Sequence, residues 1–176
     1  MAIEEPEQTV WQGKFITAKV KGKWEYVSRA RGIKAAVILA IDANDHVILV
    51  EQFRVPLGRP CIELPAGLIG DHGENEDATA TASRELEEET GYRAEQMVSL
   101  GEYYSSPGMV SESFTLLRAS GLTKVGPGGG VDGEDITVHR VPVSGIGQFI
   151  AESRARGLGI DVRLLMLLGP AIMMGE

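Results

Sequence analysis

Two apolar runs, Ala35–Ile41 and His46–Phe53, form the strongest pattern in the chain, and Asp42-Ala43-Asn44-Asp45 stands between them. Runs of that length bounded by turn-forming residues predict two buried strands joined as a hairpin. Upstream, Phe15, Ile16 and Val20 precede Lys21-Gly22-Lys23 and Trp24-Glu25-Tyr26-Val27, so residues 8–29 read as short strands with a turn. Cys61–Leu64 is a brief strand ending at Pro65, with Ala66-Gly67 as a turn and Leu68–Asn75 as a loop rich in Gly and acidic residues. The period then changes. Ala78, Ala82 and Leu86 mark the buried stripe of a helix over about 77–90. Glu76 and Asp77 suit its positive end, and Gly91 suits its C′ position. Ser113–Ala119 and Glu134–Val141 are further strands, separated by a flexible Val125-Gly126-Pro127-Gly128-Gly129-Gly130 loop. An amphipathic helix follows over 143–156, through Ile146, Phe149 and Ile150. The apolar segment Ile160–Met174 carries Asp161, Arg163 and a Gly169-Pro170 break, too short and interrupted to span a bilayer, and reads as a packing helix. Strands mixed with a central and a terminal helix predict one α/β sandwich domain, residues 35–176, after a small β extension, residues 1–34.

Composition narrows the chemistry. The chain has 176 residues, 43% of them apolar, enough for one compact core. A net charge of -8 excludes general attraction to nucleic acid or anionic membranes. An acidic protein acting on anionic phosphates would need cations or local arginines at its site. Cys61 is the lone cysteine, so no internal disulfide forms, which fits a reducing cytoplasm. Between Pro60 and Ile62 it reads as a small buried residue, since a nucleophile would need a partnered His. His46, His72 and His139 have no ligand-like spacing and are taken as incidental. The N-terminal MAIEEPEQTV is acidic and polar, unlike a secretory signal.

The chemistry concentrates at Arg84-Glu85-Leu86-Glu87-Glu88-Glu89-Thr90-Gly91-Tyr92. Glu85 and Glu89 are four apart and Glu85 and Glu88 three apart, so three carboxylates share one side of the helix. Like charges so placed destabilise an isolated helix by a few tenths of a kcal/mol per pair. Divalent cations remove that cost, because Mg2+ prefers carboxylate oxygens and commonly also holds substrate phosphates. A bare Glu-rich string also suits an ordinary solvated helix face. Gly70, Glu76 and Gly91 at fixed spacing argue against that reading, since the stretch runs G-x5-E-x7-R-E-U-x-E-E-x-G-U, with U a bulky apolar residue.

This stretch resembles the Nudix box, the signature of hydrolases that cleave nucleoside diphosphates linked to another group. Gln52-Phe53-Arg54-Val55-Pro56 and Cys61-Ile62-Glu63-Leu64-Pro65-Ala66-Gly67-Leu68-Ile69 are similar to the ADP-ribose/ADP-sugar pyrophosphatase branch, as are Lys23–Val27, Pro107-Gly108 and Asp132-Gly133-Glu134-Asp135. The box glycine of that branch directly follows Pro-Ala, which would make it Gly67, whereas counting back from Arg84 gives Gly70. An insertion of about three residues before the helix accounts for the difference.

The resemblance implies a Nudix α/β/α sandwich with a mixed sheet. It implies Mg2+, with Mn2+ as the alternative, held by Glu85, Glu89 and the main-chain carbonyl of Ala66. Glu88 would be a further ligand or act through water, and Arg84 would orient the glutamates by ion pairing. The general base would be Glu134, with Asp132 in reserve, on a loop whose glycines let it close over substrate. Arg54 and Arg29 would bind phosphate or serve as structural ion-pair partners. Trp24 and Trp11 would sandwich the adenine or fill a sheet interface; Glu25 would read its amino group, and Glu63 would bond near the base or ribose or brace its strand. Activity would be cleavage of an ADP-sugar, ADP-ribose first, to AMP and a sugar phosphate. Another nucleotide sugar such as GDP-mannose is the rival substrate, and a non-catalytic nucleotide sensor the rival class; capped RNA is disfavoured by the charge. Swapped N-terminal strands would make the protein a homodimer, and neither nucleic acid nor membrane would be a partner.

Overall fold

The computed structural model describes residues 5–30, 33–69, 77–131 and 133–174, with the backbone alone for 170–174. Gly70, His72, Glu76 and Asp132, which carry parts of the sequence reading, lie outside the described residues. In chain order the elements are β1 (Gln8–Gln12), β2 (Ile16–Lys21), β3 (Trp24–Arg29), β4 (Lys34–Ala40), β5 (His46–Arg54), β6 (Arg59–Glu63), β7 (Ala66–Ile69) and α1 (Ala78–Thr90). There follow β8 (Tyr92–Arg93), β9 (Gln96–Tyr104), β10 (Ser113–Ser120), β11 (Thr123–Lys124), β12 (Ile136–Pro142), α2 (Ile146–Ala155), β13 (Gly159–Ile160) and α3 (Leu165–Met174).

β4 and β5 do not form the hairpin their sequence suggests. They meet at a single bridge, Ile41–Val47, and then part into different sheets. β4 takes the middle of the sheet β7-β4-β10-β9, parallel to β10 and antiparallel to β7, while β5 takes the middle of β12-β5-β6-β13. The reason is that both strands are apolar on both faces, and a central position with two partners buries both faces and both edges. Ala66-Gly67 is likewise not a turn but the start of β7, pairing Ala66 with Val37. β9, the edge strand, had no expectation attached to it.

The burial pattern shows the layers. Along β4, Ala36, Ile38 and Ala40 pack with Ala82 and Leu86 of α1, Ile48 of β5 and Leu117 of β10. Val37, on the other face, joins Leu49, Ile62, Leu64, Leu116, Ile146, Ile150 and Leu164 against α2. Helices therefore cover both sides of the strands, and the architecture is the α/β/α sandwich with mixed strand directions. The β1–β3 meander, formed as expected, touches the rest through Val27, which donates to Met109 O (3.0 Å) and accepts from Ser111 N (2.9 Å). Val10, Trp11, Phe15, Ile16 and Trp24 of this extension are exposed.

The Gly-rich segment is docked rather than loose. It closes the carbonyl end of α1: Gly129 N–H bonds Glu89 O (2.9 Å), Gly130 N–H bonds Glu88 O (3.0 Å), and Val125 N–H bonds Gly91 O (2.8 Å). Lys124 Nζ adds a bond to Thr90 O (2.7 Å), a cation at the negative end of the helix. These partners satisfy carbonyls that a helix leaves unpaired at its last turn. The approach requires glycine on both sides. Gly91 has φ +68°, and a Cβ there would overlap the carbonyl of Gly126. Gly91→Ala is expected to lower the unfolding free energy by at least about 2 kcal/mol, from the left-handed φ plus the overlap. A urea titration by circular dichroism measures this; an unchanged midpoint would show that the segment is not packed there.

Candidate active site

A cleft of about 770 Å³ opens where β5, β6, β7, α1 and the segment after β13 meet. Six carboxylates face it, Glu63, Glu85, Glu89, Glu112, Glu134 and Asp161, against three guanidiniums, Arg29, Arg54 and Arg163. The arginines are all engaged. Arg54 at the end of β5 holds Glu63 through two bonds, Nε–Oε1 2.6 Å and a second guanidinium nitrogen to Oε2 2.7 Å. Arg163 makes a two-point pair with Asp161 (2.6 Å each) and reaches Glu63 at 3.4 Å. Arg29 pairs with Glu112. Glu63 is 2% exposed, so this ionic network is built into the wall and satisfies its own charges.

The carboxylates on the cleft side of α1 lack such matching. Arg84 serves two of them, Glu88 at 2.8 Å and Glu85 at 3.0 Å. Glu89 is 5% exposed and accepts the Ala66 N–H at 3.1 Å, yet among the described residues no ion pair includes Glu89 or Glu134. Burial, with the negative charges of Glu85 and Glu134 adding to it, pushes the Glu89 carboxyl up to about 8 despite the Ala66 bond. Glu85 is shifted upward as well, first by burial and then, against the pull of Arg84, by Glu88. Gly67 lies directly over Glu85, and a Cβ there would overlap the Glu85 side chain. A side chain at position 67 would therefore displace the Glu85 carboxylate.

A family model described as NUDIX domain matches residues 31–122, more than half of the chain. The chain belongs to the Nudix family.

Relatives of this Nudix chain carry several names. It is 37% identical over 121 residues to the methanol dehydrogenase activator of Bacillus methanolicus, covering 68% of this chain and 64% of that one. It is 39% identical over 89 residues to the ADP-ribose pyrophosphatase of Bacillus subtilis strain 168, covering 51% and 46%. Against the GDP-mannose pyrophosphatase of Klebsiella pneumoniae it is 33% identical over 165 residues, covering 89% and 80%. The first two matches thus span less than two thirds of those relatives. A crystal structure of an ADP compounds hydrolase superposes with a TM-score of 0.71 at 20% identity, covering 99% of this chain and 98% of that one, which establishes the shared fold.

The structure gathers Arg29, Arg54, Glu63, Ala66, Glu85, Glu89 and Glu134 around one cleft, with Arg84 and Glu88 bonded beside it. It does not bring Trp11, Trp24 or Glu25 there within one chain; all three are exposed on the β1–β3 sheet. Asp161 and Arg163 belong to the wall, whereas in the sequence they show only as interruptions of an apolar segment. Two charges inside an otherwise apolar run were the signal, because such residues are buried only when paired. Glu112, between two serines, carried no such signal. Cys61 is buried, and its thiol is pushed up to about 12, mainly by burial and then by Glu63, so it is no nucleophile.

Nudix hydrolases in general use divalent metal ions. Among the described residues no three His, Cys, Asp or Glu side chains stand close enough to enclose a metal by themselves. The donor set nonetheless fits a hard cation: Glu85 and Glu89 offer only oxygens, they share a negative surplus, and Mg2+ ordinarily keeps several waters and completes its shell with substrate phosphates.

The buried Glu89 has a consequence for pH. Its folded value of about 8 lies above the ordinary 4.5, so the folded protein binds a proton that the unfolded chain releases between those values. Without divalent cations, stability should therefore fall as pH rises from about 5 to about 8, by up to roughly 1.4 kcal/mol per pH unit. Thermal melts in EDTA should show this decline, Glu89→Gln should flatten it, and Mg2+ should raise the melting temperature more at pH 8 than at pH 6. A melting temperature independent of pH across that window would contradict the burial of an unneutralised carboxyl.

Proposed function

We propose that this Nudix domain hydrolyses the diphosphate bond of ADP-ribose or a related ADP-sugar, with Mg2+ bound, releasing AMP and a sugar phosphate. The carrying observation is the charge imbalance of the cleft: Glu89 and Glu134 have no cationic partner among the described residues, while Glu85 and Glu88 share one. Cations would displace the proton that Glu89 holds near neutral pH without them, and would bring the positive charge that a diphosphate needs to enter. Divalent cations held by Glu85 and Glu89, beside Ala66, would neutralise the diphosphate and lower the pKa of a bound water. Mn2+ would serve the same oxygen donors.

The remaining steps belong to side chains of the chain. Arg84 holds Glu85 and Glu88 in register by its two ion pairs. Glu134, from the segment docked at the end of α1, takes a proton from the attacking water. That water adds to one phosphorus in line, the bond from that phosphorus to the bridging oxygen breaks, and the leaving phosphate carries the electron pair away. Arg54 and Arg29 line the same cavity and, even while paired to Glu63 and Glu112, present guanidinium N–H groups toward a phosphate.

Base recognition needs a second subunit in this reading. Trp11 is 56% and Trp24 47% exposed, on a sheet that shows Val10, Phe15 and Ile16 to solvent as well. A second copy packed on this sheet would cover that surface and carry the indoles and Glu25 to its neighbour's cleft, where stacking of the adenine is worth about 1–3 kcal/mol. The charge of -8 fits a small-molecule substrate, and the lone cysteine fits a reducing cytoplasm; among the described residues no helix is long and apolar enough to cross a membrane. GDP-mannose is a second reading, favoured by the long match to the Klebsiella pneumoniae pyrophosphatase.

Nucleotide sugars incubated with Mg2+ and followed by product identification test the proposal. ADP-ribose should give AMP at the highest kcat/KM, and GDP-mannose turning over faster would shift the assignment to the second reading. Glu89→Gln should lower kcat by a hundredfold or more with the fold intact, and near-normal turnover at saturating Mg2+ would remove the metal assignment. Removing residues 1–30 should leave a monomer with little activity, whereas an active monomer would make the extension dispensable. Trp24→Ala should raise KM with a small change in kcat, because stacking is made in ground and transition states alike.

A further inference from the structure

The segment that ends α1 also determines where Glu134 can stand. Gly130 has φ +83°, its N–H is bonded to Glu88 O (3.0 Å), and a Cβ on it would overlap Glu134 Oε2 and lie 2.8 Å from Glu134 Cβ. Glu134 Oε2 in turn accepts the Val131 N–H at 3.0 Å, and Glu134 N–H bonds Val131 O at the same distance. Its carboxylate is thus seated in the space that a side chain at 130 would fill. The neighbouring Gly129 differs in one respect that matters. It too has a positive φ, +110°, and is anchored to α1 through Glu89 O, but a Cβ there would meet only Ile136 O at 3.8 Å, an ordinary contact.

We propose that Gly130 is a positioning residue for hydrolysis: its missing side chain makes the seat for the Glu134 carboxylate, and its bond to Glu88 ties that seat to the helix that presents Glu85 and Glu89. The inference rests on the reading of Glu134 as general base, and it adds that the base is held in advance by the docked segment. Two successive residues of one segment bond the backbones of Glu88 and Glu89, so the base and the helix carboxylates form one unit. A shift of about 1 Å in such a group is enough to cost roughly a hundredfold in rate.

The experiment compares Gly130→Ala with Gly129→Ala, each alone and in a Glu134→Gln background, in full-length protein with Mg2+ and ADP-ribose. Both alanines meet the same kind of left-handed backbone, so Gly129→Ala reports what strain alone does to this segment. Gly130→Ala is expected to lower kcat at least tenfold more than Gly129→Ala, with KM and the half-saturating Mg2+ concentration within twofold of the unsubstituted protein. In the Glu134→Gln background the extra loss should vanish, because a seat matters only while the base is there. Equal losses in the two glycine variants, or a Gly130→Ala loss that persists in the Glu134→Gln background, would overturn the positioning role while leaving the hydrolase reading intact. A Glu134→Gln enzyme with near-normal kcat would remove the base assignment on which it rests. Should Gly130→Ala melt early, Gly130→Asn and Gly129→Asn ask the same question, since Asn tolerates positive φ more readily.

Discussion

Placing Glu89 in the interior, on the inner side of α1 and against the start of β7, is costly, and much of the surrounding structure follows from it. A carboxylate that is 5% exposed gets one hydrogen bond, from Ala66, and no ion pair among the described residues. The strand that supplies the bond must therefore start at Ala66 and lie flat along β4, where Ala66 pairs with Val37. Gly67 must then be bare, since Glu85 crosses directly over it. The helix must also end cleanly one residue after Glu89, and Gly91 with the 125–130 segment provides that end. A hydrophobic residue at 89 would relax all these demands, and the cleft would lose an unmatched carboxylate with them.

The nearby arginines do not solve the problem, and that is informative. Arg54 is near enough to Glu89 to lower its pKa slightly, but its guanidinium is committed to Glu63, while Arg163 is committed to Asp161. Charge pairing in the wall is thus kept separate from charge surplus at the helix. Closed networks of this kind hold side chains in one geometry, whereas unmatched carboxylates leave a place for something that arrives from solution.

Much of this was legible in the chain because it depends on local spacing. The i, i+4 glutamates, the buried Ala82–Leu86 stripe and Gly91 at the helix end are all set within one stretch of sequence, and α1 came out within a residue of its expected span. The errors arose where partners come from far away. Nothing in Ala35–Phe53 says that β4 and β5 will find β10 and β12 as neighbours in preference to each other. Likewise Ala66-Gly67 looks like a turn until β4 lies beside it. The Gly-rich segment looked loose because glycine permits mobility, but here the same residues permit close contact with the end of α1. Arg163 and Asp161 lie a hundred residues from Glu63 and Arg54, and side-chain pairing at that separation leaves no periodic trace.

The parting of β4 and β5 gives the cleft its location. The two strands touch at Ile41 and Val47, beside the turn, while Ala35 at the start of β4 and Arg54 at the end of β5 both line the cavity. The two strands diverge like a pair of tongs, joined at the turn and open at the tips, with the cleft between the jaws. Buried side chains of both arms belong to the two core clusters, Ile48 to one and Val37 and Leu49 to the other. The width of the cleft is thereby coupled to how far the two strands diverge, and not to its lining side chains alone.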